Sequence, residues 1–416
     1  MHIDTRIARF SSAPGEPHGS TSTPIYQTAT FAQESPLEFG QFDYSRSGNP
    51  TRTVLEDKLA DLEGGAFGFA FGSGMAALSN LLRAAFSEGT RYHGRGSLIV
   101  GADLYGGTTR LIERLVAPQG VAVRSVDTTD LAAVRGALAG TLDGPVWVLL
   151  ESPSNPLLRI SDIPAIAHLA HEHGARLAVD NTALSPYLQN PLALGADVVV
   201  HSATKHLGGH GDVTAGALVT DDESLAQSIG FLQNAEGTAL GPFDSWLLLR
   251  GIKTLGVRVA QEMRNAQKVA QFLQGHASVR TVHYPGLPSH PGHDRLQAQA
   301  RGAGSLLSFE TQSPKLSKQI CESTDLFTIA VSFGSTGSTI GMPCHMSHAS
   351  VPDQAIRSGR AAALPPDLVR LSIGLEDPED LIADLEQALR VSTPERPARH
   401  PGNLSLLPPL ADCPQP

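Results

Sequence analysis

Between Lys58 and Lys253 the sequence holds one lysine, Lys205. It lies in Asp197–Gly216, DVVVHSATKHLGGHGDVTAG, where an apolar strand empties into a loop of small residues. Ser202 and Thr204 stand just before it, and glycines follow over Gly208–Gly211. An amine at the mouth of an apolar strand has its pKa lowered by its surroundings, so it can hold an aldehyde cofactor as a Schiff base; neighbouring hydroxyls can take a cofactor phosphate. An ordinary loop lysine would give the same local pattern. Other residues therefore have to supply the remaining parts.

Several do. Asp180 closes the apolar strand RLAVDNT and is followed by Thr182. A carboxylate there can pair with a cationic ring nitrogen, although a turn or cap aspartate would look alike. Tyr105 follows the strand SLIVG and offers a ring to stack on a flat ligand. Gly72-Ser73-Gly74, with Met75 next, opens a helix, and a glycine turn at a helix N-terminus presents free N–H groups to an anion. Asn155 lies in ESPSNP beyond another strand, and Arg370 sits inside the otherwise apolar LVRLSIG. Arginine in such a strand is either ion-paired or a bidentate clamp for a carboxylate.

These residues need a frame. From Thr53 onward helical and strand patterns alternate: VLEDKLADLEGG, AFGFAF, GSGMAALSNLLRAAF, SLIVG, VAVRSVD, LAAVRGALAG, PVWVLLES, IPAIAHLAHEHG and RLAVDNT. That alternation predicts an α/β domain on a mainly parallel sheet, with ligands at the carboxyl ends of its strands. Helix is expected to begin near Thr108 after the Tyr105 loop, and one long helical pattern runs from Asp244 to Gly275 with a bend near Gly251 or Gly256. That helix bridges to a smaller α+β unit with strands VRTVHY, SLLSFE and LVRLSIG and helices PKLSKQICES and DPEDLIADLEQALR. The expected division is an N-terminal arm over 1–52, an α/β domain over 53–250, an α+β domain over 251–392 and a disordered tail over 393–416 that holds seven of the 29 prolines. In the arm, PIYQTATF is β-prone, and DYSRSGNPT packs Tyr44, Arg46 and an Asn-Pro turn into nine residues, too densely for a solvated tail.

The bulk properties exclude several classes. A net charge of -10 argues against a nucleic-acid surface. Cys321, Cys344 and Cys413 form no disulfide framework and no CxxC pair, which fits a reducing compartment. There is no apolar leader and no run of 18 apolar residues, so neither secretion nor membrane spanning is expected, and the protein reads as cytoplasmic. Of the 16 histidines, His201, His206 and His210 surround Lys205, and His168, His171 and His173 form a second group. Neither group has the spacing of a zinc site such as HExxH, so no metal is expected.

Seven ordered motifs, YSRSGNPTR, DLYGGT, ESPSNP, AVDNT, HSATKHLGGHGD, YPGLPSHP and VRLSIGLEDPEDL, together resemble the Cys/Met-metabolism (transsulfuration) pyridoxal-phosphate enzymes, over about residues 20–392. That family contains cystathionine γ-synthase, cystathionine γ- and β-lyases and methionine γ-lyase. The resemblance implies the type I fold of pyridoxal 5'-phosphate (PLP) enzymes, like that of aspartate aminotransferase. It implies Lys205 as the Schiff-base lysine and proton carrier, Asp180 as partner of the ring nitrogen, and Tyr105 stacked on the ring as a candidate acid or base. Gly74, Met75, Thr182, Ser202 and Thr204 are implied in the cofactor site, with Gly74, Met75, Ser202 and Thr204 at the phosphate. Tyr44 and Arg46 would reach the phosphate of a neighbouring subunit, in a homotetramer built from active dimers. Asn155, Ser332 and Arg370 would hold the substrate α-carboxylate.

The reaction is narrowed less than the cofactor. Family members that use γ-chemistry on cystathionine often carry Glu where this chain has Val331, and methionine γ-lyases typically carry Cys where it has Gly107. The expected function is a PLP-dependent carbon–sulfur lyase acting on cystathionine or a related thioether, by β- or γ-elimination. The alternatives are a γ-synthase joining an acylhomoserine to cysteine, and methionine γ-lyase. A non-catalytic member is disfavoured, because the cofactor constellation is intact.

Overall fold

The computed structural model describes residues 1–9, 16–87, 96–140, 144–349, 356 and 363–390. The tail expected over 393–416, with Cys413, lies outside them.

Two sheets organise these residues. The larger comprises β1 (Phe67–Phe71), β2 (Ser97–Gly101), β3 (Ala122–Val126), β4 (Val146–Glu151), β5 (Arg176–Asp180), β6 (Val198–His201) and β7 (Gly216–Thr220), in the order β1-β7-β6-β5-β4-β2-β3. All neighbours are parallel except β7, which runs against both β1 and β6. Its central strands are apolar on both faces, because helices cover both. Along β4, Trp147 and Leu149 pack with the helix Gly74–Ser87, while Val148 and Leu150 pack with the helices Leu131–Ala139 and Ile163–Glu172.

The smaller sheet holds β8 (Thr281–His283), β9 (Leu306–Glu310), β10 (Thr328–Ile329), β11 (Thr339–Gly341) and β12 (Leu368–Ser372), ordered β10-β11-β12-β9-β8. It packs its apolar face on the helices Pro314–Ser323 and Pro378–Arg390. The 20-residue helix Leu255–Gln274 joins the two cores: Leu255 and Val259 sit in the first, and Ala266, Val269, Ala270 and Leu273 in the second.

The α/β expectation holds, with local corrections. The helical pattern over Asp244–Gly275 is two helices, Pro242–Ile252 and Leu255–Gln274. The break falls at Lys253–Thr254, where Arg258 Nη2 donates to the Gly251 carbonyl at 3.0 Å and to the His206 carbonyl at 2.9 Å. Gly251 also lies against the Lys205 loop, since a Cβ on it would stand 2.2 Å from the Gly208 oxygen. The helix expected near Thr108 starts at Gly106, with Tyr105 as its N-cap residue. The β-prone PIYQTATF forms one isolated bridge, Thr30 to Tyr44, in place of a ladder. Its backbone is instead held by Thr51 Oγ1, which accepts from Tyr26 N at 2.9 Å, and by Asn49 Nδ2, which donates to the Tyr26 carbonyl at 2.9 Å. β10 and β11 were not expected, being two and three residues long.

Candidate active site

Because β2, β4, β5 and β6 are parallel, their carboxyl ends open on one edge. β1 is antiparallel to β7 and β7 to β6, so β1 ends on that edge too. One edge thus gathers Gly74 and Met75 after β1, Tyr105 after β2, Glu151 and Asn155 at β4, Asp180 and Thr182 at β5, and Ser202, Thr204 and Lys205 after β6. β12 and the loop between β10 and β11 bring Arg370 and Ser332 to the same place.

Lys205 Nζ donates to Ser332 Oγ at 2.6 Å and lies 5.2 Å from the centre of the Phe333 ring. Burial, and then the Arg370 charge, push its pKa from 10.5 down to about 8, against an upward pull from Asp180. An amine so placed is a competent nucleophile and proton carrier. Asp180 Oδ1 accepts from Thr182 N at 3.0 Å and from Thr182 Oγ1 at 2.5 Å. Burial raises its pKa, while those two donors and the nearby His201 and Lys205 favour its charge. The Thr182 hydroxyl also accepts from Ser202 N at 2.8 Å, tying the Asp180 strand to the Lys205 turn.

Arg370 is buried in β12, between Gly341 and Ser308. Its Nη1 donates to Asn155 Oδ1 at 3.0 Å and its Nη2 to the Ser332 carbonyl at 2.9 Å. Burial lowers its pKa to about 10, which leaves it charged at neutral pH. Ser332 itself holds a left-handed φ of 83°, a conformation non-glycine residues seldom take and one that clusters at ligand sites. Arg370, Asn155 and Ser332 therefore come together as expected, beside the lysine.

Gly74 begins its helix hard against Ser202: a Cβ on it would stand 2.9 Å from both Ser202 Cα and Cβ. Only glycine leaves this helix N-terminus open as a cradle for an anion. Thr204 differs from expectation, because its hydroxyl bonds the backbone of Ala215 in both directions, at 3.1 and 3.0 Å. It closes the Lys205 turn. Tyr105 is 40% exposed, and Gly107 makes room for its ring: a Cβ there would stand 2.4 Å from Tyr105 Cε1 and 3.2 Å from Met75 Sδ. A half-buried amine, a half-buried carboxylate, an open aromatic face and an anion cradle fit a phosphorylated aldehyde on a cationic ring.

Tyr44 and Arg46 are both exposed. They stack on each other at 5.4 Å, and Arg46 Nη1 donates to the Asn234 carbonyl at 2.9 Å. Three neighbours of the site were missed in the sequence: Glu151, Phe333 and His348. Phe333 lies under both Lys205 and Arg370. His348 meets the Tyr105 ring edge-on at 6.2 Å, and its Nε2 pairs with the Asn155 carbonyl at 3.1 Å. Only Glu151, as the last letter of an apolar strand beside Asp180, carried a signal that could have found it. Among the described residues no group of histidines, cysteines and carboxylates could hold a metal ion, and no helix is long and apolar enough to cross a membrane.

Several known proteins are similar to this chain. A chloroplastic cystathionine β-lyase of Mimosa pudica is 52% identical over 374 residues, covering 90% of this chain and 79% of that protein. A cystathionine γ-synthase of Mycobacterium leprae is 47% identical, with 93% and 96% covered. The crystal structure of cystathionine γ-synthase from Xanthomonas oryzae pv. oryzae in complex with cystathionine superposes with a TM-score of 0.88 at 39% identity, over 94% of this chain and 98% of that one. The family profile described as Cys/Met metabolism PLP-dependent enzyme matches residues 4–390. The chain therefore belongs to the Cys/Met-metabolism PLP-dependent enzymes, and its cofactor is pyridoxal 5'-phosphate.

Proposed function

We propose that this enzyme is a carbon–sulfur lyase that opens cystathionine, or a related cysteine thioether, by β-elimination. With cystathionine and water the products are homocysteine, pyruvate and ammonia. The observation that carries the reading is the seat of Lys205, a half-buried amine bonded to Ser332 beside the Arg370–Asn155 clamp. A substrate whose carboxylate rests on Arg370 presents its Cα to that amine. One proton removed there suffices for a thiolate to leave Cβ, whereas a leaving group on Cγ needs a second deprotonation, at Cβ. Val331, next to Ser332 and 58% exposed, gives the far end of the substrate an apolar rim without charge. The 52% identity to a β-lyase supports the same reading.

PLP, when bound, supplies the sink for the electrons released at Cα. Asp180 would hold its ring nitrogen, kept aimed by Thr182. Tyr105 would lie against the ring, and Gly74, Met75, Ser202 and Thr204 would bind its phosphate. Lys205 would carry the Cα proton, and the Tyr105 hydroxyl would exchange a proton with the leaving sulfur.

The reading extends to assembly and chain organisation: an arm over 1–52, an α/β domain over 53–250 and an α+β domain over 251–392, in a cytoplasmic homotetramer of active dimers. Its support is the Tyr44–Arg46 pair, which is exposed on the arm, as a pair serving a neighbour's phosphate would be. Co-expressing Lys205→Ala with Arg46→Ala tests it. Hybrids carrying both defects in one site leave the other site intact, so activity returns if the arm acts across subunits and stays absent if it does not.

Incubation with cystathionine tests the reaction. Pyruvate with homocysteine is expected, and Lys205→Ala should abolish both. 2-Oxobutyrate with cysteine would refute β-elimination. The second reading is a γ-synthase, supported by the M. leprae relative and the X. oryzae structure. It requires turnover of an acylhomoserine with cysteine in preference to cystathionine cleavage.

A further inference from the structure

Glu151 is the one buried acid of the site to which the reaction above gives no task. It ends β4 and is paired in register with Asp180, which ends β5. Residues in register on neighbouring parallel strands lie about 4.8 Å apart and point the same way. Two carboxyl groups therefore emerge side by side at the carboxyl edge, and Glu151 is only 8% exposed. Such a pair does not ionise twice, because each charge raises the other's pKa.

The surroundings decide which acid keeps its proton. Asp180 has two donors from Thr182 and faces the Lys205 amine. Glu151 has one donor, Tyr105 N–H, at 3.1 Å to Oε2. Asp103 also faces it, half-buried and bonded by the Ser154 hydroxyl. Arg370 faces it from β12, but is committed to Asn155 Oδ1 and the Ser332 carbonyl.

We propose that Glu151 is a neutral carboxylic acid in the working enzyme and a positioning residue: it anchors the Tyr105 backbone and, by staying uncharged, leaves Asp180 as the ionised member of the pair. Burial first, then the Asp180 charge, drive the Glu151 pKa well above the usual carboxylate range, in line with that arrangement. Tyr105 caps the helix that starts at Gly106, so an acceptor on its N–H fixes where the ring-bearing residue leaves the strand. An ionised Glu151 would instead compete with Asp180 for positive charge and with the substrate for Arg370. The inference rests on Asp180 being the charged partner of the cofactor ring, but not on which bond the enzyme breaks.

Infrared difference spectroscopy of the holoenzyme at neutral pH tests it directly. The expected result is a deuterium-sensitive carbonyl band of a protonated acid that vanishes in Glu151→Gln. Kinetics give a second readout. Glu151→Ala should lower kcat/KM by about 100-fold, the cost of misplacing a catalytic group, and Gln should recover most of that loss, since it replaces a neutral acceptor with another. A wild-type spectrum without the band overturns the proposal without any variant. A band that survives in Glu151→Gln, or a Gln variant as impaired as Ala, overturns it too.

Discussion

Covalent capture of the cofactor requires the neutral form of Lys205. Burial, and then Arg370, hold its pKa at about 8 where an ordinary lysine stands at 10.5. At pH 7.4 about 20% of such a residue is neutral, against about 0.1% of an ordinary lysine, an advantage of about 250-fold. The rate at which apoprotein captures pyridoxal 5'-phosphate should therefore rise with pH through a midpoint of about 8 and level off above about 9. Borohydride trapping followed by mass spectrometry of the Lys205 peptide would follow it. Arg370→Met removes the second cause of the shift, so the midpoint should move up and capture at pH 7.4 should slow, although Arg370 never touches the amine. The same shift bears on stability. The unfolded chain holds the lysine proton more tightly, so the apoprotein gains stability as pH rises from about 8 to about 10.5, in all about 3 kcal/mol. Lys205→Met should accordingly stabilise the apoprotein at pH 7 and do little at pH 11. A capture midpoint near 10, or one that falls in Arg370→Met, would refute this account of the lysine.

Three further outcomes follow from contacts around the site. Gly107→Cys places a Cβ 2.4 Å from Tyr105 Cε1, so the ring must move; kcat/KM should fall by about 100-fold, measured with cystathionine. Gly74→Ala brings a methyl 2.9 Å from Ser202 Cα and should weaken cofactor retention in equilibrium dialysis by at least about 10-fold, about 1.4 kcal/mol; unchanged retention would count against the cradle. Glu262 is fully buried, 3.3 Å from His206 Nδ1 and 3.4 Å from the Ser305 hydroxyl, with Arg258 close by. Glu262→Ala should cost about 3–5 kcal/mol in denaturant titrations, as removing one partner of a buried pair does.

The sequence by itself determined the alternation of elements and the identity of most of the chemistry. Apolar runs such as VWVLLE and RLAVD could only be strands covered on both faces, and a parallel sheet of such strands puts Glu151, Asp180 and Ser202 at one edge whatever the loops do. Motif order then named the amine, the carboxylate and the clamp before any coordinates. Local pattern could not see what depends on two distant segments meeting. The break at Lys253–Thr254 exists because Arg258 turns back to the Gly251 and His206 carbonyls. The Thr204 hydroxyl is taken by Ala215, eleven residues away. Phe333 and His348 come to the site on the second sheet's loops, and no spacing in the first domain announces them. Charge is likewise a tertiary property. Lys205, Arg370 and Glu151 have the same letters anywhere in a chain, but only burial beside one another sets which of them carries a proton, because desolvation and Coulomb energy depend on what surrounds a group in space.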